Sequence, residues 1–348
     1  MTNKLLGGIA LIVILLSCSS CEKLLRMNYR ITGTVSEEGQ WRQADAKELL
    51  PKDIYVSDAL VINCSGTLFT SAPFTQTESD PFHETWTQII PDSLTIAWGN
   101  FISVDTVAEK IYFCANKGLY SCSYSGEDLI KHALDLSLTF INPVLSADRR
   151  YITMLNLSSG YNQGKLNRYD LQTSELLHLE QPGDATWAAY NPELDKFYYF
   201  SSLGALHSIN PDGSDEVSHF EGFRGKTWEF CQSNKDRYIG AFSKASPNGG
   251  TGMVFDISTG EVSLIENLDR MAFNPCKNEL SYSIRSDAKA KLYRRNLDDG
   301  SEVLIHNGRV KKPDKIATYL SLNYRQDGKS MLFTAMVATP LTAGLYDE

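Results

Sequence analysis

The sequence predicts an all-β fold built from small antiparallel sheets that repeat along the chain. Three observations indicate this: a strand–turn–strand module recurs about every forty residues, aromatic residues make up 11% of the chain, and the turns are rich in Asp, Asn and Gly. Aromatic rings pack well on pleated strands, and Asp, Asn and Gly tolerate the backbone angles of tight turns. One four-stranded sheet per repeat of this length is typical of a β-propeller.

The module is marked by the residue that opens its second, aromatic-rich strand. A well-formed copy is Lys196-Phe197-Tyr198-Tyr199-Phe200. The intervals between successive markers are 40, 46, 41, 42 and 50 residues, and the markers are Lys110, Arg150, Lys196, Arg237, Glu279 and Lys329. Residues 53–348 hold about seven repeats of this length, so the sequence predicts seven blades, with six as the alternative.

The two ends of the repeat region predict how the ring closes. The first blade is expected from residues 58–63, 66–71, 85–90 and 94–99. The chain ends at 344–348, where the third strand of the last blade is expected, so a fourth strand is missing there. An open edge leaves backbone groups unpaired. We therefore expect the alternating N-terminal segment 29–35 to complete the last blade.

The N-terminus has the layout of an export signal. Lys4 is followed by the apolar run 5–16, whose length of about 18 Å as a helix is too short for a bilayer core of about 30 Å. Leu15-Leu16-Ser17-Cys18 resembles the lipobox of bacterial lipoproteins, which implies a lipid on the Cys18 sulfur and cleavage before it. Cys21 is the rival lipidation site, and an uncleaved anchor or an ordinary signal peptide is the alternative. The predicted organisation is a signal peptide at 1–17, a tether and closing strand at 18–52, and a propeller at 53–348.

Two segments resemble the TolB-type propeller repeat, which also occurs in the propeller domains of prolyl oligopeptidases. The turn is closest at 324–329, YRQDGK, and the following hairpin is closest at 292–300, LYRRNLDDG. The resemblance covers about residues 100–348 and implies a propeller fold, but little about function. Other copies depart from it: Cys276 stands where the repeat has Asp, and 144–150 lacks the Pro and the Gly. With its leader, the chain resembles TolB-like propeller lipoproteins of Bacteroides-type bacteria, which implies the outer membrane or cell surface, or the periplasmic face.

The chain carries no recognisable catalytic or metal-binding motif. It has no G-x-S-x-G and no H-E-x-x-H, and it lacks the two C-x-x-C sets that together would suit zinc. Most carboxylates fall in hairpin turns, so no catalytic residue, metal ligand or cofactor is predicted. The net charge of −9 disfavours nucleic acid as a partner.

Candidate binding residues cluster where the first strands of successive blades begin. Thr186-Trp187, Thr227-Trp228, Arg270-Met271 and Thr318-Tyr319 occupy matching positions, and the loops on the same face include 158–164 and 285–289. Aromatic and Arg side chains at the rim of the channel would hold a sugar, a peptide or a small apolar group. The alternative is that these aromatic rings pack between blades. The predicted ligand-binding residues are Trp187, Trp228, Arg270, Tyr319, Arg285 and Tyr161.

Two further features have open interpretations. Cys114 and Cys122 flank a hairpin and would form a cross-strand disulfide if they lie opposite each other, which a register slip of one residue would prevent. The basic segment 309–315 is read as a solvated loop, with contact to anionic lipid or to an acidic partner as the alternative.

The predicted function is a lipid-anchored cell-envelope propeller that binds a peptide, glycan or protein partner on one face. The membrane is a partner through the N-terminal lipid. The first alternative is a carbohydrate-active enzyme with two channel carboxylates about 5–9 Å apart. The second is a structural member of an envelope complex, which would carry a large exposed apolar patch.

Overall fold

The computed structural model describes most of the chain from the N-terminal strand onward. It describes residues 25–44, 54–57, 61–64, 67–71, 86–88 and 90–340, apart from 92, 95–101, 106, 116–117, 124, 133–138, 158–163, 181, 183, 223–227, 233–236, 244–249, 287–288, 311–313 and 325–327. All regular elements within these ranges are β-strands, as the sequence predicts.

The first half of the strands runs in chain order as follows: β1 (Leu25–Ser36), β2 (Trp41–Ala44), β3 (Ile54–Ser57), β4 (Val61–Cys64), β5 (Thr67–Ser71), β6 (Trp86–Gln88), β7 (Ile102–Asp105), β8 (Lys110–Ala115), β9 (Gly118–Ser123), β10 (Ile130–Lys131), β11 (Thr139–Leu145), β12 (Tyr151–Leu157), β13 (Gly164–Asp170) and β14 (Leu176–His178). The second half follows: β15 (Ala185–Asn191), β16 (Lys196–Ser201), β17 (Leu206–Ile209), β18 (Val217–Phe220), β19 (Trp228–Gln232), β20 (Tyr238–Ser243), β21 (Gly250–Asp256), β22 (Glu261–Phe273), β23 (Glu279–Ser286), β24 (Lys289–Asn296), β25 (Glu302–His306), β26 (Lys315–Tyr324) and β27 (Ser330–Pro340).

The strands form antiparallel units of four. Three sheets are single units: β3–β6, β7–β10 and β26–β27–β1–β2. The eight-stranded sheet joins β11–β14 to β15–β18 through one residue pair, Gly164 opposite Ala185. In the seven-stranded sheet the long strand β22 belongs to two units. Its first half pairs with β21 as the fourth strand of one unit, and its second half pairs with β23 as the first strand of the next.

The first unit differs from the expected strand assignment. Its strands are β3, β4, β5 and β6, so the segment expected to open the unit is its second strand instead. Residues 54–57 take the first place because this Ile-Tyr-Val-Ser segment pairs with Val61–Cys64 across a short connection. The β-branched and aromatic residues of that segment favour a strand. Most of the expected fourth strand, 94–99, lies outside the described residues.

The two chain ends share one unit. β1 pairs with β27 from Leu25 opposite Pro340 to Ser36 opposite Ser330, so the predicted pairing of segment 29–35 with the last unit is present. The N-terminus contributes more than the expected single strand, because β2 pairs with β1 after a turn in which Gly39 has a φ of +82°. The N-terminal hairpin thus supplies the third and fourth strands. Residues 344–348, expected as the third strand, lie outside the described residues.

The hydrophobic core lies between consecutive units. Cys114 of one unit packs with Phe140 and Met154 of the next. Further along, Phe200 packs with Phe255 of the following unit. The same face-to-face packing joins β24 to the unit of β26, β27 and β1. Burial of the faces between units removes their apolar side chains from water, which is the main stabilising contribution.

A histidine recurs on, or directly after, the outermost strand of three units. Three histidines each hydrogen-bond to a residue eleven positions earlier on the third strand of their unit, and the pairs are His132 with Ser121, His178 with Asn167, and His219 with Ser208. The rings of His132 and His219 also contact Tyr169 and Phe255 of the next unit, with centroids 5.3 and 4.8 Å apart. Burial lowers the pKa of both histidines, so they pack as neutral rings.

The disulfide alternative for Cys114 and Cys122 is wrong. The register of β8 and β9 places Cys114 opposite Leu119 and Cys122 opposite Ile111, so the two thiols are not cross-strand partners. They also belong to different core clusters. Both are buried free cysteines, and burial raises the pKa of the Cys122 thiol to about 12.

Candidate functional site

The first strands of four units carry a β-bulge near their start. The irregularities fall between Ile141 and Val144, between Ala185 and Trp187, between Leu268 and Arg270, and between Ile316 and Thr318. A bulge inserts an extra residue and turns its side chain away from the regular alternation. These four bulges therefore interrupt the regular alternation of side chains at similar positions in the third, fourth, sixth and seventh units.

Polar residues at the bulges link one first strand to the next. The amide of Asn142, a residue with a φ of +53°, donates to the carbonyl oxygen of Thr186 at 3.3 Å. In another unit, Asp269 accepts a hydrogen bond from the backbone N–H of Tyr319 at 2.8 Å. In both places a polar side chain at a bulge hydrogen-bonds to the backbone of the next unit's first strand, and at the second place that side chain is the carboxylate of Asp269.

Asp269 is the centre of the most polar of these links. Asp269 is only 8% exposed. The Thr318 hydroxyl lies 2.8 Å from each carboxylate oxygen, and Arg285 Nη2 lies 3.6 Å from Oδ1. A buried carboxylate is costly without compensation, and here two hydrogen-bond donors and a guanidinium supply it.

Arg270 adds a second cation beside Asp269. Its Nε donates to the carbonyl oxygen of Leu320 at 2.9 Å, its Nη1 donates to the carbonyl oxygen of Asp269 at 2.6 Å, and its guanidinium lies 5.7 Å from the Phe242 ring. Both Arg270 and Arg285 remain partly exposed. We name this group of five residues the Asp269 cluster: Asp269, Arg270, Arg285, Thr318 and Tyr319. Two guanidinium groups and one carboxylate give it a net positive charge.

The cluster brings together three of the predicted ligand-binding residues, namely Arg270, Arg285 and Tyr319. The Tyr319 side chain itself is fully buried and packs edge-on against Phe333, with centroids 5.6 Å apart. Trp187 is 4% exposed and packs against Phe200 at 5.8 Å. These two rings favour the alternative interpretation, in which the aromatic residues form core between units.

The other predicted residues are Trp228, Tyr161 and Cys18. Trp228 opens β19, where its partner is Ser243. Tyr161 and Cys18 lie outside the described residues. The acidic centre, Asp269, was not predicted, because in the sequence it looks like any other carboxylate in a polar segment. Its position directly before Arg270, at the start of a first strand, is the signal that could have found it.

The turn carboxylates have structural roles. The marker residue Arg150 binds Asp170 at the end of the third strand, with Nη2 and Oδ2 2.7 Å apart, and Arg237 binds Asp256 in the same way at 3.1 Å. The guanidinium of Arg150 holds the pKa of Asp170 at about 2. Asp170 also accepts a hydrogen bond from the backbone N–H of Gln172 in its turn. These carboxylates therefore stabilise hairpins.

Metal-type side-chain clusters and membrane-spanning helices are both absent from the described residues. Within those ranges, no group of three or more His, Cys, Asp or Glu side chains is arranged to hold a metal ion. The same part of the chain contains no helix that is long and apolar enough to cross a membrane.

Comparison with known proteins supports the fold. No family model and no curated protein matches the chain. An oligogalacturonate lyase solved in complex with manganese is similar in structure, with a TM-score of 0.60 and 12% identity over 90% of this chain and 98% of that one. An oligogalacturonate lyase from Vibrio parahaemolyticus has a TM-score of 0.57 and 11% identity over 94% of this chain and all of that one. A puromycin hydrolase mutant has a TM-score of 0.54 and 12% identity over 88% of this chain and 57% of its own length.

These neighbours are propellers, and at such low sequence identity the similarity concerns the fold alone. The chain is therefore an all-β protein of propeller type.

Proposed function

We propose that this chain is a lipid-anchored envelope protein whose propeller binds a peptide, glycan or protein partner on the face that carries the Asp269 cluster. The observation that carries the proposal is that two partly exposed guanidinium groups flank one buried carboxylate near the start of a first strand. Arg285 forms an ion pair with the Asp269 carboxylate, and Arg270 donates to the backbone carbonyl oxygen of Asp269. Rigid elements hold these groups in place, and a preorganised site binds with a smaller entropic cost.

A closed ring of seven blades is part of the proposal. Seven four-stranded units follow one another among the described residues, and apolar clusters join consecutive units. The N-terminal hairpin completes the last unit, and β26 of that unit contacts β3 of the first. This contact between the two ends of the array supports closure.

The lipid anchor rests on the lipobox resemblance around Cys18. Two or three acyl chains hold a protein stably on a membrane, whereas one chain is marginal. Replacing Cys18 with Ser should move the protein from the membrane fraction to the soluble fraction. Retention of the variant in the membrane fraction would show that Cys18 is not the anchor.

The Asp269 cluster suits a ligand that carries a negatively charged group, because Arg presents a fixed fork of donors to carboxylates. The test is cross-linking in cells followed by identification of the captured partner for the wild type and for Arg270→Gln with Arg285→Gln. Arg42→Gln, on the exposed outermost strand β2, is the matched control. We expect loss of capture in the double variant only, and equal capture by all three proteins would refute the site.

A carbohydrate-active enzyme remains the second candidate, favoured by the match over nearly the full length of two oligogalacturonate lyases. Cationic Arg side chains would suit the carboxylates of an acidic sugar. The assay is release of new sugar ends from polygalacturonate by the purified chain. Turnover that is lost in Arg270→Gln would favour the enzyme, and binding without turnover would favour the leading proposal.

A further inference from the structure

The start of the N-terminal strand lies on the same face as the Asp269 cluster. β1 and β26 both run antiparallel to β27, so they point in the same direction. Ala338 of β27 pairs with Met27 on one side and with Lys315 on the other, which places the beginnings of β1 and β26 side by side. Thr318 of the cluster is only three residues further along β26. We call this side of the molecule the entry face.

The far end of β1 lies on the opposite side. Glu37, directly after β1, forms an ion pair with Lys277 in the turn between β22 and β23. The twelve residues of β1 extend about 35 Å at the usual rise of about 3.3 Å per residue. The opposite face is therefore a full strand length away from Leu25.

The chain between the predicted lipid and the fold is too short to cover that distance. Seven residue steps separate Cys18 from Leu25, and a fully extended chain reaches at most about 3.6 Å per step. The reach is about 25 Å, which is less than the length of β1. A lipid on Cys18 therefore prevents the opposite face from lying flat on the bilayer, because Leu25 would then be out of reach of the lipid.

The entry face also carries basic residues, although the whole chain has a net charge of −9. Arg309 and Lys315 are joined by a β-bridge at the base of the loop that enters β26. Gly308, which precedes this bridge, lies close to the start of β24, since a Cβ on Gly308 would lie 2.5 Å from the Ala290 carbonyl oxygen and 3.4 Å from Lys289 Cβ. Acidic residues also lie on this side: Asp314 and the bonded Asp269 beside the basic residues, and Asp184 and Glu266 near the starts of β15 and β21. The basic residues that the structure describes on this face include Arg270, Arg285, Lys289, Arg309 and Lys315.

We propose that the entry face lies against an anionic bilayer, so that the Asp269 cluster opens toward the membrane surface. The inference rests on the proposed lipidation of Cys18. Basic groups near an anionic membrane surface are each attracted to it, and the attraction is screened by salt. A partner that reaches the cluster must then be held at, or project from, the same membrane.

Cys276 offers a natural reporter for the opposite face. It is exposed and lies next to Lys277, which binds Glu37 at the far end of β1. The lipidated chain is placed in vesicles of phosphatidylethanolamine and phosphatidylglycerol that contain a headgroup-labelled energy acceptor. A donor dye is attached at Cys276 or, in a Cys276→Ser background, at Asn307→Cys in the loop of the entry face. Cys276→Ser alone measures labelling of other cysteines.

We expect efficient energy transfer from position 307 and at least several-fold less from position 276. Equal transfer or the reverse order would overturn the orientation. A triple variant, Lys289→Glu with Arg309→Glu and Lys315→Glu, should reduce transfer from position 307, and Lys329→Glu on the opposite side should not. No effect of the triple variant would overturn the electrostatic contact. If Cys18→Ser remains in the membrane fraction, the lipid anchor fails instead, and this result is distinguishable from a reversed orientation in an anchored protein.

Discussion

His306 should make the protein less stable in mild acid. Its ring stacks on Trp41 of the N-terminal hairpin, with centroids 4.1 Å apart and planes 9° apart, and Trp41 in turn stacks on Phe333 at 5.2 Å. The backbone N–H of Gly308 donates to His306 Nδ1 at 3.2 Å, so this nitrogen must be an acceptor. Burial lowers the pKa of His306 from 6.5 to about 4. The neutral ring therefore helps to hold the hairpin on the neighbouring unit.

The sign and size of the effect follow from proton linkage. The unfolded chain binds this proton more tightly than the folded chain, so stability is fully present above pH 6.5 and falls as the pH drops toward 4. One pKa unit corresponds to about 1.4 kcal/mol, which sets an upper limit of about 3 kcal/mol. The ring is partly exposed and solvent screens it, so we expect a loss of about 1–2 kcal/mol between pH 7 and pH 4.5.

The assay is urea unfolding at pH 7 and pH 4.5 for the wild type and for His306→Phe. Phe keeps an aromatic ring against Trp41 but binds no proton, so the difference between the two pH values should shrink by about 1–2 kcal/mol. The absolute stability of the variant can fall at both pH values, because Gly308 loses its acceptor. Leu304→Gln, an exposed position on the same strand β25, should keep the wild-type difference. An unchanged pH difference in His306→Phe would refute the reasoning.

Four further predictions follow from particular contacts. Asp269→Ala removes the hydrogen-bond acceptor of the Thr318 hydroxyl and of the Tyr319 N–H, and it leaves Arg285 without its carboxylate partner. The free energy of unfolding, measured by urea titration, should therefore fall by about 2–4 kcal/mol, whereas Thr318→Val should lower it by about 1 kcal/mol. Gly164→Ala should lower the free energy of unfolding by more than about 2 kcal/mol, because the new Cβ would lie 2.3 Å from the Asn156 carbonyl oxygen. Gly260→Ala should lower it by about 1 kcal/mol, because the new Cβ meets no neighbouring atom and only the backbone φ of +74° disfavours Ala. Cys114 and Cys122 should react with a thiol reagent only after unfolding, and a pair that stays unreactive in unfolded, non-reduced protein would contradict the free thiols. Deleting residues 27–36 should lower the melting temperature and promote aggregation by opening the edge of β27, and an unchanged melting temperature would count against the shared terminal unit.

The periodic features of the sequence were sufficient to predict the fold class. The marker residues Arg150 and Arg237 directly precede second strands and bind the Asp that ends the third strand. The repeat is visible in the sequence because the same contacts recur. The pairing of segment 29–35 with the last unit was predictable for a similar reason, since an open edge needs a partner. These inferences depend on local pattern and on backbone hydrogen bonding, which every strand shares.

Only the tertiary structure decided which polar residues meet. Asp269 and Thr318 lie forty-nine positions apart, and a bulge in each first strand is needed to bring them together. A bulge changes the side of the sheet on which a side chain lies, so simple alternation cannot locate it. The same limit applies to Trp187 and Tyr319, whose rings are buried because of the packing between units. Sequence determined the repeat and the strands, while register and packing between units determined the site.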